Sequence, residues 1–187
     1  MITRKVIGNA AMIGQQRAGI PGVEVMPGGR VYAVWFSGGD KEPSPENTVY
    51  LSRSDDGTKS FSKPVVMAGP KNGARAFDPT LWLAPNGVLW LIFNRSNKET
   101  AEHGVFARLC QNPESANPVW GDEFRIGFDA PYSFRMNKPT VLSTGEWLMP
   151  VTHLANELHD WFGVNQLQGA ARSLDEGLTW RGNLLIG

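Results

Sequence analysis

The sequence predicts an all-β chain assembled from repeats of one four-stranded antiparallel unit. Helical periodicity is scarce. Short apolar runs bounded by Gly, Pro, Asn and Asp follow one another along all 187 residues. Three of these runs also align with each other. They are PGVEVMPGGRVYAVWF from Pro21, PTLWLAPNGVLWLIF from Pro79 and PTVLSTGEWLMPV from Pro139, and each reads strand, glycine turn, strand. The turn glycines Gly29, Gly87 and Gly145 are 58 residues apart, twice over. A tight hairpin needs a positive φ, which glycine adopts without steric cost.

A third strand follows each hairpin: NTVYLSRS, HGVFARLC and LQGAARS. A fourth comes next: PVVMAG, DEFRIGF and GNLLIG. The runs VYAVWF and VLWLIF are apolar at every position, so both faces of each sheet must be covered. One such sheet cannot bury both faces alone, and the sheets must therefore stack. Repeated four-stranded sheets that stack face to face describe the blades of a β-propeller. The expected organisation is a single partial propeller domain over 1–187, with blades at roughly 17–72, 73–130 and 131–187. A two-sheet β-sandwich is the alternative.

Composition narrows the function classes. The chain has 18 Lys plus Arg against 18 Asp plus Glu, a balance that argues against nucleic acid and anionic membrane as partners. No apolar run has the length of a membrane-spanning helix. The opening MITRKVIGNAAMIG lacks the apolar core of a signal peptide, and no compartment is assigned. The single Cys110 precludes an internal disulfide and is expected to be a small apolar filler at a strand end. No His, Cys or Asp grouping has zinc spacing. No glycine-rich loop opens a helix, and no Gly-x-Ser-x-Gly stretch marks a nucleophile elbow. No metal and no cofactor are expected.

Between the third and fourth strands the chain repeats a polar signature. SDDGTKSF spans residues 54–61, SLDEGLTW spans 173–180, and CQNPESANPVW, ending in Trp120, is a degenerate version. The pattern is Ser-x-Asp-x-Gly-x-Thr-aromatic. Ser54, Asp56, Ser173 and Asp175 are expected to accept backbone N–H groups and close a tight turn, with Gly177 supplying positive φ. Phe61 and Trp180 are expected to turn inward between blades. These loops are read as structural staples, without a catalytic role for Asp56 or Asp175.

This signature resembles the Asp-box, or BNR repeat, of the sialidase (neuraminidase) superfamily. GGRVYAVWFSGGDKEPSPENTVYLSRSDDG and RMNKPTVLSTGEWLMPVTH look like bacterial BNR-repeat proteins described as exo-sialidases. Such proteins usually have six blades, and this chain carries about three. The resemblance therefore implies the N-terminal half of a sialidase-type propeller, with exposed faces on its first and last blades that favour self-association. It implies a glycan substrate, sialic acid or a related sugar. Sialidases are similar to other retaining glycosidases but use a Tyr nucleophile activated by a Glu. Three arginines hold the substrate carboxylate, and an Asp acts as acid/base. The Tyr–Glu pair belongs to later blades, so the chain alone is expected to be inactive. The alternative is a non-catalytic glycan- or protein-binding propeller.

Candidate site residues lie where two sets of loops meet at one end of a propeller. The segments leading into the inner strands are RAGIP, RAFDP and RMNKP, each Arg-x-x-x-Pro. Each proline favours an extended predecessor, so Arg17, Arg75 and Arg135 are expected to adopt similar poses. They either share an axial anion pocket, where a planar guanidinium grips a carboxylate with two bonds, or staple neighbouring blades. Asp78 and Lys138 hold the same repeat position and are expected to pair across adjacent blades; Asp78 facing the channel, with Asn137 and Lys138 beside it, is the alternative, as substrate contacts. The loops between second and third strands are SGGDKEPSPEN, NRSNKETAE and HLANELHDWFG. By blade position the first matches the sialidase acid/base region. Asp40, after Gly-Gly, and Glu46 are rival choices, with Glu42 in the same loop. The third loop offers His153, His159, Asp160 and Trp161: His153, at the end of an inner strand, is a candidate contact for a sugar hydroxyl, and Trp161 for stacking on a sugar ring. One departure is clear: the family's Arg-Ile-Pro is here Gly19-Ile20-Pro21, with Arg17 two residues early. Arg75 and Arg135 do not map onto the family triad.

Overall fold

A computed structural model describes residues 7, 10–97, 103–128, 133–135, 137–154 and 166–186. A 3-10 turn at Ala10–Ile13 precedes the first sheet. Among the described residues, thirteen strands form three antiparallel sheets. The first holds β1 (Ala18–Val25), β2 (Val31–Ser37), β3 (Thr48–Ser54) and β4 (Val65–Ala68), in that spatial order. The second holds β5 (Arg75–Leu83), β6 (Leu89–Ser96), β7 (Gly104–Cys110) and β8 (Phe124–Arg125). The third holds β9 (Ser133–Arg135), β10 (Thr140–Val141), β11 (Trp147–Leu154), β12 (Gln166–Ser173) and β13 (Arg181–Ile186). These are the blades that the repeat predicts. Gly29, Gly87 and Gly145 turn their hairpins with φ of 89°, 82° and 88°.

Both faces of the middle blade are buried, and alternation along β6 shows why its sequence is apolar throughout. Leu89, Leu91 and Phe93 face the first blade and join Tyr32, Val34, Phe36 and Leu51 in one core. Trp90 and Ile92 face the third blade and join Trp147, Met149, Val151 and Trp180 in another. Period-two alternation thus supplies two cores from one strand. Trp82 meets Trp147 edge to face, with ring centroids 4.7 Å apart. Burial of each large side chain is worth about 1.5–3 kcal/mol, so the junctions dominate the stability of the stack.

The polar loops between third and fourth strands share one hydrogen-bond scheme. Ser54 Oγ donates to Asp56 Oδ1 at 2.8 Å and accepts Thr58 N–H at 2.9 Å, while Asp56 accepts Ser60 N–H at 2.9 Å. In the third blade Ser173 Oγ donates to Asp175 at 2.9 Å and accepts Gly177 N–H, and Asp175 accepts Thr179 N–H, both at 2.8 Å. The donors on Ser60 and Ser54, and those on Thr179 and Ser173, hold Asp56 and Asp175 below the usual carboxylate range. The middle blade keeps the scheme with other atoms. Cys110 Sγ donates to Asn112 Oδ1 at 3.6 Å, and Asn112 accepts Val119 N–H at 3.1 Å, just before Trp120. Cys110 is the buried strand-end residue that the sequence predicts, and it also stands where the other blades have serine.

Trp120 and Trp180 each pack on the blade before them. Trp120 meets Tyr32 edge-on at 6.3 Å, and Trp180, 3% exposed, lies in the core beside Trp90 and Trp147. Phe61 is only half-buried, against expectation, because no earlier blade stands among the described residues to receive it. The same asymmetry explains a substitution within the repeat. Positive φ is needed at Thr58 (72°) and at Gly177 (87°). At Gly177 a Cβ would also come within 2.8 Å of Trp90 and 2.9 Å of Trp147, so only glycine fits. Gly177→Ala is expected to cost about 2–4 kcal/mol, from backbone strain plus overpacking. Thr58→Gly is expected to gain up to about 1 kcal/mol by relieving a left-handed non-glycine residue. Urea denaturation of the two variants checks both signs.

Candidate active site

The inner strands of the first two blades break register at their prolines. The pairing skips from Gly19 to Gly22 in β1 and from Phe77 to Thr80 in β5. Proline has no N–H for the ladder, so each strand bulges there. Ile20 and Asp78, which precede the prolines, adopt left-handed φ of 46° and 48° rather than the extended geometry that a following proline favours. The bulge overrides the local preference. In the third blade the break is wider, and the inner strand divides into β9 and β10, both paired to β11.

That division corrects the alignment of the three arginines. Arg75 pairs with Ser96, but Arg135 pairs with Val151, three residues deeper than the hairpin spacing implies. Arg135 is 4% exposed, and burial draws its guanidinium down to about 10, still protonated at neutral pH. Arg17 is exposed, and its carbonyl accepts the Ser37 hydroxyl and, at 3.3 Å, Gly38 N–H. The three arginines therefore do not share one pose. Arg75 and Arg135 instead flank Asp78.

Asp78 sits where the segments leading into β5 and β9 and the β2–β3 loop meet, at the mouth of the blade stack. Burial pushes its carboxyl up, opposed by the Arg135 and Arg75 guanidinium groups. Arg135 donates to the Asp78 carbonyl. Asn94 lies within hydrogen-bonding reach of the Asp78 carboxyl. Its side-chain amide also pairs with the Arg135 backbone, donating to the carbonyl and accepting the N–H, both at 3.1 Å. Arg75 donates to Glu42 of the β2–β3 loop and stacks over Phe77, with its guanidinium carbon 3.9 Å from the ring centroid. Glu42 also accepts Asn47 Nδ2 at 2.8 Å. The result is a chain of polar and charged groups that crosses all three blades: Asn47, Glu42, Arg75, Asp78, Arg135.

The other predicted residues fall around this chain. Asp40 and Glu46 are exposed on the same loop, and neither carboxylate has a hydrogen bond or ion pair among the described residues. Lys138 does not pair with Asp78. It reaches Glu24 on β1 at 3.1 Å, from third blade to first, because the gap between β9 and β10 carries it across the hub. Asn137 is exposed and accepts Lys138 N–H at 2.8 Å. His153 lies in β11 opposite Ser133. His159, Asp160 and Trp161 lie outside the described residues. Sequence reasoning missed Asn94, which has no counterpart in the repeat, and His103, whose ring centroid is 4.4 Å from that of Phe134. At the opposite, hairpin end a cavity of about 210 Å³ lies between Met26, Leu83 and Pro113, and the Glu114 carboxylate on its rim already accepts Gly28 N–H at 2.5 Å. Among the described residues no group of three His, Cys, Asp or Glu side chains is placed to hold a metal ion.

No family model and no curated protein sequence matches the chain. Solved structures do. A Hadza microbial sialidase, Hz136, superposes with a TM-score of 0.71 at 14% identity, over 95% of this chain and 39% of that one. A xylan β-1,4-xylosidase from Bacillus halodurans C-125 gives 0.59 at 16% identity, over 91% of this chain and 31% of that one. A GH43 endo-arabinanase from Bacillus licheniformis gives 0.53 at 16% identity, over 86% and 52%. The chain thus has the propeller fold of these glycoside hydrolases, and it spans less than two thirds of the length of each. Two of its sheets lie on either side of a third, as blades of a partial propeller, and the sandwich alternative is set aside.

His103 gives the mouth a measurable acid sensitivity. Burial, reinforced by Arg125, lowers its pKa from 6.5 to about 4. The unfolded chain then binds the proton at a higher pH than the folded one. The associated stability is full above about pH 6.5 and is lost as pH falls toward 4, by about 2–4 kcal/mol. His103→Gln is expected to remove that segment of the curve, which urea midpoints at pH 7 and pH 4.5 would show as a smaller acid loss than in the parent.

Proposed function

We propose that the chain is the N-terminal, three-bladed portion of a sialidase-like glycoside hydrolase, exo-acting on sialic acid or a related sugar. The observation that carries this reading is the mouth cluster: the half-buried Asp78 carboxyl between the guanidinium groups of Arg75 and Arg135, with Arg135 donating to the Asp78 carbonyl. Two further features support it. The Ser54–Asp56 and Ser173–Asp175 loops share the spacing and hydrogen bonds of one motif, which resembles the Asp-box. The fold is one that a sialidase, a xylosidase and an arabinanase also adopt.

In this reading the sugar sits over the mouth. Arg75 and Arg135 supply positive potential for an acidic sugar, and a Coulomb contact of this kind gains strength where water is thin. Asn137, Lys138 and Arg17, all exposed, meet the sugar hydroxyls. The acid/base role falls to Asp40 or Glu46, whose carboxylates are uncommitted, whereas Glu42 is held by Arg75 and Asn47. That group donates its proton to the glycosidic oxygen as the bond to the anomeric carbon breaks, and later takes a proton from the attacking water. Asp78 is the second carboxyl, able to accept hydrogen bonds from sugar hydroxyls. The nucleophile comes from blades beyond these three, and the three blades by themselves bind without cleaving.

A second reading has one observation in its favour. Both buried guanidinium groups already have protein partners, Glu42 and the Asp78 carbonyl. This suits a non-catalytic glycan- or protein-binding propeller. Saturation-transfer NMR of the 187-residue chain with sialyllactose, xylobiose and arabinobiose tests the glycan reading. Transfer to the terminal sialic acid is expected, reduced severalfold by Arg75→Lys, which loses the planar fork. No hydrolysis of a fluorogenic sialoside by this chain is expected. Transfer to none of the three sugars contradicts glycan binding, and transfer confined to the pentosides moves the specificity to neutral sugars.

A further inference from the structure

Glu42 and its two partners are unequal in a way that a permanent ion pair does not require. Asn47 is fully buried, and its carbonyl accepts Ala76 N–H of the next blade at 3.0 Å. The Arg75 side chain is 11% exposed and is fixed against Phe77. Both donors are thus held rigidly, one on each of two adjacent blades. The carboxylate they share is 37% exposed. It belongs to a loop in which Asp40, Lys41, Pro43, Pro45 and Glu46 are exposed as well. That loop leaves β2 through Gly38 and Gly39, with φ of 152° and 63°, and a Cβ at Gly38 would lie 2.5 Å from the Glu46 carbonyl oxygen. The donors are pre-organised, and the carboxylate they share is the more exposed member.

One further atom points to what exchanges with it. Asn47 Oδ1 is buried and has no hydrogen-bond partner among the described residues. A buried acceptor left unmet costs about 1–3 kcal/mol. A simple carboxylate would replace Glu42 on Arg75 Nη1 and Asn47 Nδ2 but would leave Asn47 Oδ1 as it is. A sugar acid brings a hydroxyl next to its carboxylate, and that hydroxyl can donate to Oδ1.

We propose that Glu42 is an internal stand-in for a ligand carboxylate, and that the Arg75–Asn47 pair binds the carboxylate of an acidic sugar once the β2–β3 loop releases it. The proposal rests on the glycan reading above and names the group that this part of the mouth recognises. Glu42 then acts as a latch: it keeps the buried Arg75 paired while the site is empty, and it sets the affinity threshold for the ligand. A latch closed nine-tenths of the time lowers the apparent affinity about tenfold.

Titration calorimetry of the chain with N-acetylneuraminate, glucuronate, acetate and xylose tests this. Glu42→Gln, which keeps the shape but weakens the hold on Arg75, is expected to bind both sugar acids about tenfold more tightly than the parent. Glu42→Asp, too short by one methylene to reach both donors, is expected to show the same direction, and provides a second variant if the first does not fold. Xylose affinity is expected to stay unchanged, and Arg75→Lys added to Glu42→Gln is expected to abolish the gain. A gain for acetate equal to that for the sugar acids overturns the sugar assignment. Unchanged or weaker binding of sugar acids in both Glu42 variants overturns the latch. If xylose binds the parent and Glu42→Gln changes nothing, the latch fails while glycan binding at this mouth stands.

Discussion

Everything in this molecule depends on a sheet that is apolar on both sides. Such a sheet has no stable existence in water, so each blade needs a neighbour, and the aromatic junctions supply it. Trp82, Trp90, Trp147 and Trp180 lock the second and third blades. Tyr32, Phe77, Phe93 and Phe106 do the same between first and second. The polar loops serve these junctions. Their side-chain hydrogen bonds, Ser–Asp in the outer blades and Cys–Asn in the middle one, fix a tight corner at the edge of each sheet, and in the second and third blades the corner delivers one aromatic side chain to the preceding blade. A polar motif thereby becomes a packing device.

Stacking also explains where the charged residues meet. Inner strands of successive blades are brought side by side, so the segments that lead into them converge at one mouth. Arg75, Asp78 and Arg135 are far apart in sequence, yet they act on each other because β5 and β9 arrive at the same place. Bulging at Pro79 turns Asp78 out of its ladder, and the break at Pro139 lets Arg135 sink until it meets Asp78. The Lys138–Glu24 contact, across 114 residues, belongs to the same convergence. Burial acts on the groups in opposite directions: it pushes the Asp78 carboxyl up and the Arg135 guanidinium down, while the attraction between them opposes both shifts.

Much of the architecture was legible because it repeats. Gly29, Gly87 and Gly145 mark the hairpins by spacing alone, and the full box at 173–180 with its near match at 54–61 marks where third strand gives way to fourth. The middle loop was only half legible. Cys110 and Asn112 replace the serine and the aspartate, and the stretch to Val119 is three residues longer than its counterpart, which hides the pattern. Details of the mouth were less visible, for a physical reason. Bulges and register shifts are decided by how one blade packs on the next, so the aligned Arg-x-x-x-Pro segments give three different environments. The choice of Glu42 over Asp40 and Glu46 as the partner of Arg75 is likewise a matter of position in space. Asn94 and His103 carried no signal, since neither recurs in the other blades.

The central claim is that the blades form one interdependent stack, and equilibrium unfolding followed by two probes tests it directly. Tryptophan fluorescence reports the junctions, and far-ultraviolet circular dichroism reports the strands. A stack in which no sheet survives alone predicts coincident transitions with the same midpoint in urea. Loss of the tryptophan signal well before the strand signal would mean that the sheets persist after the junctions open, and would contradict the account.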